Sequence, residues 1–308
     1  MHRRIAAALV ALALPFTAAA QSTWPNKAIR LVVPFAPGGV TDTSGRLVAE
    51  ALGKRLGQQG FVENKAGASG NIGTHDVAAA APDGYTLVLA FDGTMVINPH
   101  VFAKVPFDTL KDFAPVGKIG DAILILVAHP SFPGKTLQET IAISKKEAKG
   151  VSYGTSGIGG TPHIAGELLN QRTGAKLVHI PYKGGGQAMA DALGGNVPLV
   201  YTAVAGAVNH VKAGKLHPIA VSSLRRASSL PDVPTVIESG VPDFEVSSWV
   251  GILAPAKTPQ PVIERLNKEL AAVLTDPEIV AKLDKLGLPG KQVIADYRAE
   301  LAKIKAGN

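Results

Sequence analysis

The chain has 308 residues, a formal net charge of +7 and no cysteine, and it is 46% hydrophobic against 18% charged. Those proportions support a sizeable core, argue against disorder, and remove cysteine nucleophiles, thiolate metal sites and iron–sulfur ligation. Lysine and arginine are scattered and aromatics make up 5%, so the basic charge lacks the stacked, patched surface that nucleic acid requires and no nucleic-acid partner is expected.

The first 20 residues read as a secretory leader, with His2-Arg3-Arg4 as basic start, Ile5 to Phe16 as apolar stretch and Ala18-Ala19-Ala20 as cleavage site. An exported, periplasmic protein processed near Ala20 is expected; an uncleaved membrane anchor is the alternative, although the apolar run is short for a bilayer. The next segment is the most telling. Leu31 to Val33 form an apolar strand, Pro37-Gly38-Gly39 a loop, and Asp42 and Thr43 open a helix whose buried face is Leu47, Val48, Ala51, Leu52 and Leu56, with Asp42 as N-cap. Strand, glycine loop and helix start gather unpaired N–H groups at the positive end of a helix dipole, a site for an anion that needs no charged side chain.

Gly60 to Asn64 reads as a short strand, Ala66 to Gly73 as a loop, His75 to Ala80 as a helix ended by Pro82-Asp83-Gly84, and Tyr85 to Ala90 as a buried strand. Further strands are predicted at residues 122–128, 151–153, 177–182, 199–203 and 219–221, with helices at 137–148, 187–193, 262–274 and 278–286. The strand–glycine loop–helix unit recurs at Gly154 to Gly160, where Thr161 can cap and Pro162 suits a first turn, and again at Lys183 to Gly186. Alternating strands and helices predict an α/β chain with mostly parallel sheets, and the length suggests two lobes.

Nucleotide motifs fail on spacing. His129 stands where a P-loop ending in Gly134-Lys135-Thr136 needs glycine, and Pro162 and Met189 stand where dinucleotide loops need their last glycine. Gly154-Thr155-Ser156-Gly157-Ile158 misses the final glycine of a nucleophile elbow, and the histidines show no paired metal spacing. No acid, base and nucleophile assemble, so an enzyme is not expected; a secreted hydrolase using Ser156 and His163 is the reading to be tested against that. Neither metal nor cofactor is expected.

Ordered markers along the mature chain carry a resemblance: Trp24-Pro25, Ile29 to Phe35, Pro37-Gly38-Gly39, Asp42, Val62-Glu63-Asn64, Ala81 to Leu87, Lys111-Asp112-Phe113, Ser156-Gly157, His163, Pro181 to Gly184, Leu230 to Thr235 and Trp249. In these the chain resembles the Bug family of periplasmic solute-binding proteins that serve tripartite tricarboxylate transporters. The resemblance implies a two-lobed, Venus-flytrap α/β fold with a ligand cleft, lobe 1 from residues 21–121 and 247–308 and lobe 2 from residues 122–246. It implies a small carboxylate, aliphatic or aromatic, or an amide analogue, gripped through backbone groups and ordered waters, and a monomer that meets membrane transporter subunits. A sensor subunit presenting its closed form to a membrane histidine kinase is the alternative. The implied ligand loops are Phe35 to Asp42 and Thr155 to Gly160. Ala36, Gly38, Gly39, Thr41, Ser156, Gly157 and Gly159 are the expected donors, with Phe35, Pro37, Asp42, Thr155 and His163 beside them and Thr94, Tyr182 and Thr202 as cleft walls. Pro198 and Thr202 stand where the family often has an acidic residue, which favours an acid without an amino group.

Overall fold

The computed structural model describes residues 24–286 and 288. The leader read in residues 1–20 and the end of lobe 1 read in residues 289–308 lie outside them. In chain order the elements are β1 (Ile29–Val33), α1 (Val40–Leu56), β2 (Gly60–Asn64), α2 (Asn71–Ala78), β3 (Thr86–Phe91), α3 (Asn98–Val101), β4 (Phe113–Ala128), α4 (Leu137–Lys146), β5 (Val151–Thr155), α5 (Thr161–Thr173), β6 (Leu177–Pro181), α6 (Gly185–Leu193), β7 (Leu199–Ala203), α7 (Val204–Lys212), β8 (His217–Val221), β9 (Ser247–Pro255), α8 (Gln260–Thr275) and α9 (Pro277–Lys285). A π-helical turn, Gly93–Ile97, leads into α3.

The strands run in the order β2-β1-β3-β9-β4-β7-β5-β6, with β8 also on β4. The outer pairings are parallel, β1 with β2 and β3, and β5 with β6 and β7. The pairings at the centre, β3 with β9 and β4 with β7, β8 and β9, are antiparallel. The α/β two-lobed class therefore holds, with a mixed sheet where a mostly parallel one is predicted. The reason lies in β4, which is 16 residues long. Its first part, Phe113 to Ile123, pairs with β9, and its last part, Leu124 to Ala128, pairs with β7. One strand thus leaves the first half of the sheet and enters the second, and β9 returns beside it.

Leu31, Val32, Val33, Val88 and Leu89 are all buried, as strands covered by helices on both faces must be. Helix α1 begins at Val40, earlier than Asp42: its N-cap is Gly39, which makes no side-chain capping bond, and it ends at Gly57 in the left-handed conformation. Helix α5 likewise takes Gly160 as N-cap, so Thr161 does not cap it. Three elements have no predicted counterpart: α3, α7 and β9. Helix α7 follows β7 with no intervening loop, and its N-cap is Ala203, so no Ser, Asp, Gly or Pro marks its start.

Candidate functional site

Four helix N-termini point into one small cavity between the two halves of the sheet. Gly39, Val40 and Thr41 begin α1, Pro162 lies in the first turn of α5, Gly185 opens α6, and Ala203 caps α7. Phe35, Phe91, Leu124, Ser156 and Thr202 complete the lining, and no lining side chain is charged. The first-turn N–H groups of a helix have no carbonyl of their own helix to pair with, and the aligned peptide dipoles leave a partial positive charge there. Four such ends attract an anion, while the hydroxyls of Thr41, Ser156 and Thr202 offer donors. Phe35 and Phe91 meet edge to face with centroids 5.6 Å apart and make an apolar wall.

The halves touch around this cavity. The Ala36 N–H donates to the Lys183 carbonyl at 3.3 Å. A methyl group added at Gly186 would stand 2.1 Å from the Pro37 carbonyl, and one at Gly157, whose φ is +143°, would stand 2.6 Å from the Ser69 Oγ. The cavity is partly open and its inner space is about 30 Å³, which is room for roughly two water molecules by the usual occupied-volume criterion. A carboxylate group or its bridging waters fit that space.

A buried carboxylate spans the junction. Asp92, at the end of β3, accepts from the Ser248 hydroxyl on β9 at 2.5 Å and from the Thr161 hydroxyl on α5 at 2.6 Å. Burial pushes the Asp92 carboxyl up, opposed by those hydroxyls and by the Gly93 and Trp249 N–H groups, and the net result is above the ordinary range. Thr161, expected as a cap, instead ties the second half to the first.

The expected ligand residues divide into four groups. Phe35, Gly39, Thr41, Ser156 and Thr202 line the cavity. Ala36, Pro37, Gly38, Gly157 and Gly159 lie in the same two loops without lining it, and four of their N–H groups are already taken. Ala36 pairs with Lys183, Gly38 donates to Asp42 Oδ2 at 3.0 Å, Gly157 to Thr155 Oγ1 at 3.2 Å, and Gly159 to His163 Nδ1 at 3.1 Å. Asp42, Thr155 and His163 stand behind the loops as braces. Asp42 is not the N-cap: it accepts from Gly38, Asn64 and Arg46, and although burial pushes its carboxyl up, those bonds outweigh it and hold the carboxyl below the ordinary range. Thr94 and Tyr182 do not face the cavity, because Thr94 donates to the Ser69 carbonyl and the Tyr182 hydroxyl donates to Asp191 on α6. Pro198 is remote, its carbonyl accepting the His129 N–H.

Behind the Ser156–Gly160 loop the rings of His163 and His179 stack, with centroids 3.8 Å apart and planes 18° apart. His179 Nε2 lies 2.6 Å from Thr155 Oγ1. His163 Nδ1 is occupied by Gly159, and its Nε2 faces Glu167 at 3.9 Å. The His163 ring therefore accepts its hydrogen bond from Gly159, and among the described residues none joins it to Ser156, so the hydrolase reading lacks its nucleophile–base pair. Sequence reading missed Ser69, Asp92 and Ser248, for which no local signal exists. It saw the Lys183–Gly186 loop but did not place it at the cleft, although the strand–glycine loop–helix pattern used for the other two loops applies there as well.

Residues 45–303 match the family described as the tripartite tricarboxylate transporter family receptor. Protein BugT of Bordetella pertussis is 36% identical over 274 residues, covering 89% of this chain and 83% of BugT. Two solved structures are similar over most of their length. One is MatC of Rhodopseudomonas palustris with bound malate, at 31% identity and a TM-score of 0.84, covering 91% of this chain and 96% of MatC. The other is Rpa4515 of R. palustris with adipate, at 32% identity and a TM-score of 0.83, covering 90% of this chain and 96% of that one.

Proposed function

The chain belongs to the tripartite tricarboxylate transporter receptor family, and on that premise we propose that it works in the periplasm, binding a small carboxylate-bearing solute and delivering it to the membrane subunits of such a transporter. The lobes are residues 21–121 with 247–308, and residues 122–246, and the leader is removed near Ala20. The chain binds rather than turns over its solute.

One observation carries this reading: four helix N-termini surround a cavity that holds no charged side chain. Helix ends favour a carboxylate by a modest amount each, and without a fixed Arg clamp the interaction stays reversible, as delivery to a transporter requires. The free first-turn N–H groups of α1 and the hydroxyls of Thr41, Ser156 and Thr202 take the role of donors, directly or through one water each. Thr202 is neutral and no carboxylate lines the cavity, so nothing there pairs with an ammonium group; an aliphatic diacid of the malate or adipate kind suits it better than an amino acid.

A thermal-shift series on the purified mature chain tests this with malate, adipate, aspartate and glutamate. A diacid at about 100 times its dissociation constant is expected to stabilise the fold by about 2.7 kcal/mol, with titration calorimetry giving one site and no product in the supernatant. Stabilisation by the amino acids alone refutes the choice of solute, and turnover of any of them refutes binding without catalysis.

A further inference from the structure

We propose that the stacked His163–His179 pair positions the Ser156–Gly160 binding loop, and that proton uptake by the pair releases this loop and lowers solute affinity. This rests on the solute-binding reading, and it concerns side chains that do not line the cavity.

The loop is held from behind at two points. His163 Nδ1 accepts the Gly159 N–H at 3.1 Å, so this nitrogen carries a lone pair and no proton. Thr155 Oγ1, which takes the Gly157 N–H at 3.2 Å, lies 2.6 Å from His179 Nε2. Two imidazoles on different elements thus fix two successive glycines of the loop, Gly157 and Gly159, both at positive φ. Gly159 in turn packs against Asn98 and Val101 of the other half, and Gly157 against Ser69. The loop shape that permits closure is therefore the shape the histidine pair enforces.

The arrangement tolerates only neutral His163. A proton on Nδ1 would set an N–H against the Gly159 N–H, two donors with no acceptor between them. A proton on His179 would place a cation face to face with the His163 ring at 3.8 Å. The other groups facing the pair, among the described residues, are Tyr153 from β5 and Glu167 from α5. Tyr153 lies 5.3 Å from the His179 ring and donates to Glu167 at 2.9 Å. Glu167, 3.9 Å from His163 Nε2, favours the imidazolium but is engaged by Tyr153. Burial is the larger influence on both rings: it pulls His163 below the ordinary histidine range against Glu167, and together with His163 it pulls His179 down to about 4. The pair is thus neutral at neutral pH, and its protonation belongs to acid conditions.

Two measurements test this on the full mature chain. In the first, malate affinity is followed by calorimetry from about pH 7 to about pH 4, a window that spans the depressed histidine range, for wild type, His163→Asn and His163→Leu. Asn offers a carbonyl oxygen where Nδ1 stands and does not titrate, so it reports the malate's own protonation; Leu offers no acceptor. Wild type is expected to lose about tenfold more affinity than His163→Asn across the range, the worth of one hydrogen bond. His163→Leu is expected to bind weakly at every pH. Superposed profiles for wild type and His163→Asn overturn the proposal. In the second, the Gly159 amide and the two imidazoles are titrated by nuclear magnetic resonance without solute. A Gly159 shift that follows the His163 titration supports the proposal, and a Gly159 shift that stays constant while His163 titrates overturns it. Because the second measurement needs no solute, failure of malate and other carboxylates to bind counts against the solute reading and leaves the loop result standing on its own.

Discussion

Replacing Gly186 by alanine separates closure from folding. Gly186 is the second residue of α6, where alanine is the better helix former by about 0.5–1 kcal/mol. The open protein therefore gains a little stability or stays level. The closed protein cannot accept the change as it stands, because the new methyl would sit 2.1 Å from the Pro37 carbonyl and 3.2 Å from Gly38 backbone atoms. Those are main-chain atoms of a loop braced by Asp42, so relief must come from holding the two halves further apart. Overpacking of this kind costs about 1–3 kcal/mol. If solute is held in the closed form, that cost lowers the closed fraction and appears directly as affinity, about 5- to 150-fold weaker binding. Malate and adipate titrations of the Gly186→Ala protein, beside thermal melts of the same protein without solute, give both quantities. Affinity within twofold of wild type would refute the claim that contact between the Pro37 and Gly186 loops accompanies binding. A melting temperature that falls in step with affinity would show instead that Gly186 serves folding.

Thr161→Val removes the hydroxyl that reaches Asp92 across the junction; a hydrogen bond to a charged acceptor is worth about 1.5–3 kcal/mol, so malate binding should weaken by roughly tenfold or more while the solute-free melt barely moves, and an equal loss in both would place the contact in the open form too. Thr202→Asp puts a carboxylate on the cavity wall: two like charges about 4 Å apart repel by about 4 kcal/mol at an effective dielectric of 20, so diacid binding should fall at least tenfold and preference should move toward aspartate, whereas unchanged diacid affinity would show that Thr202 does not face the solute. Asp42→Asn should destabilise the fold by about 1–3 kcal/mol at neutral pH, because it ends the ion pair with Arg46 and leaves one amide oxygen where two carboxylate oxygens serve Gly38 and Asn64. The folded Asp42 carboxyl is held low, so the wild-type advantage is complete above the ordinary carboxylate range and fades as pH falls through the folded value; urea melts that keep the same gap in strong acid contradict that assignment.

What was legible in the chain was what is local. A run such as Leu31-Val32-Val33 followed by Pro37-Gly38-Gly39 and an amphipathic helix announces a strand, a loop and a helix N-terminus within a few residues of one another, and the same pattern marked the loops at Gly154 and Lys183. That pattern located cavity-lining residues on both halves, Gly39 and Thr41 on one and Ser156 on the other. Side-chain roles were harder to read. Asp42 looks like an N-cap from its type and place, yet it sits inside the first turn and reaches back to the Gly38 N–H, because Gly39 occupies the cap and brings no side chain to do so. The junction itself left no local trace. Thr161 and Ser248 lie 69 and 156 positions beyond Asp92 along the chain; the pairing of β9 with β3 brings Ser248 to it, and α5 of the other half brings Thr161. His179 shows the same limit in milder form: its place beside Tyr153 follows from the parallel register of β5 and β6, which no single strand displays. The loops that touch a solute are therefore written in short segments, whereas the groups that set how firmly those loops close depend on strand order. For that reason, substitutions behind the loops, at His163, His179 and Asp92, are the ones expected to change affinity without touching the solute.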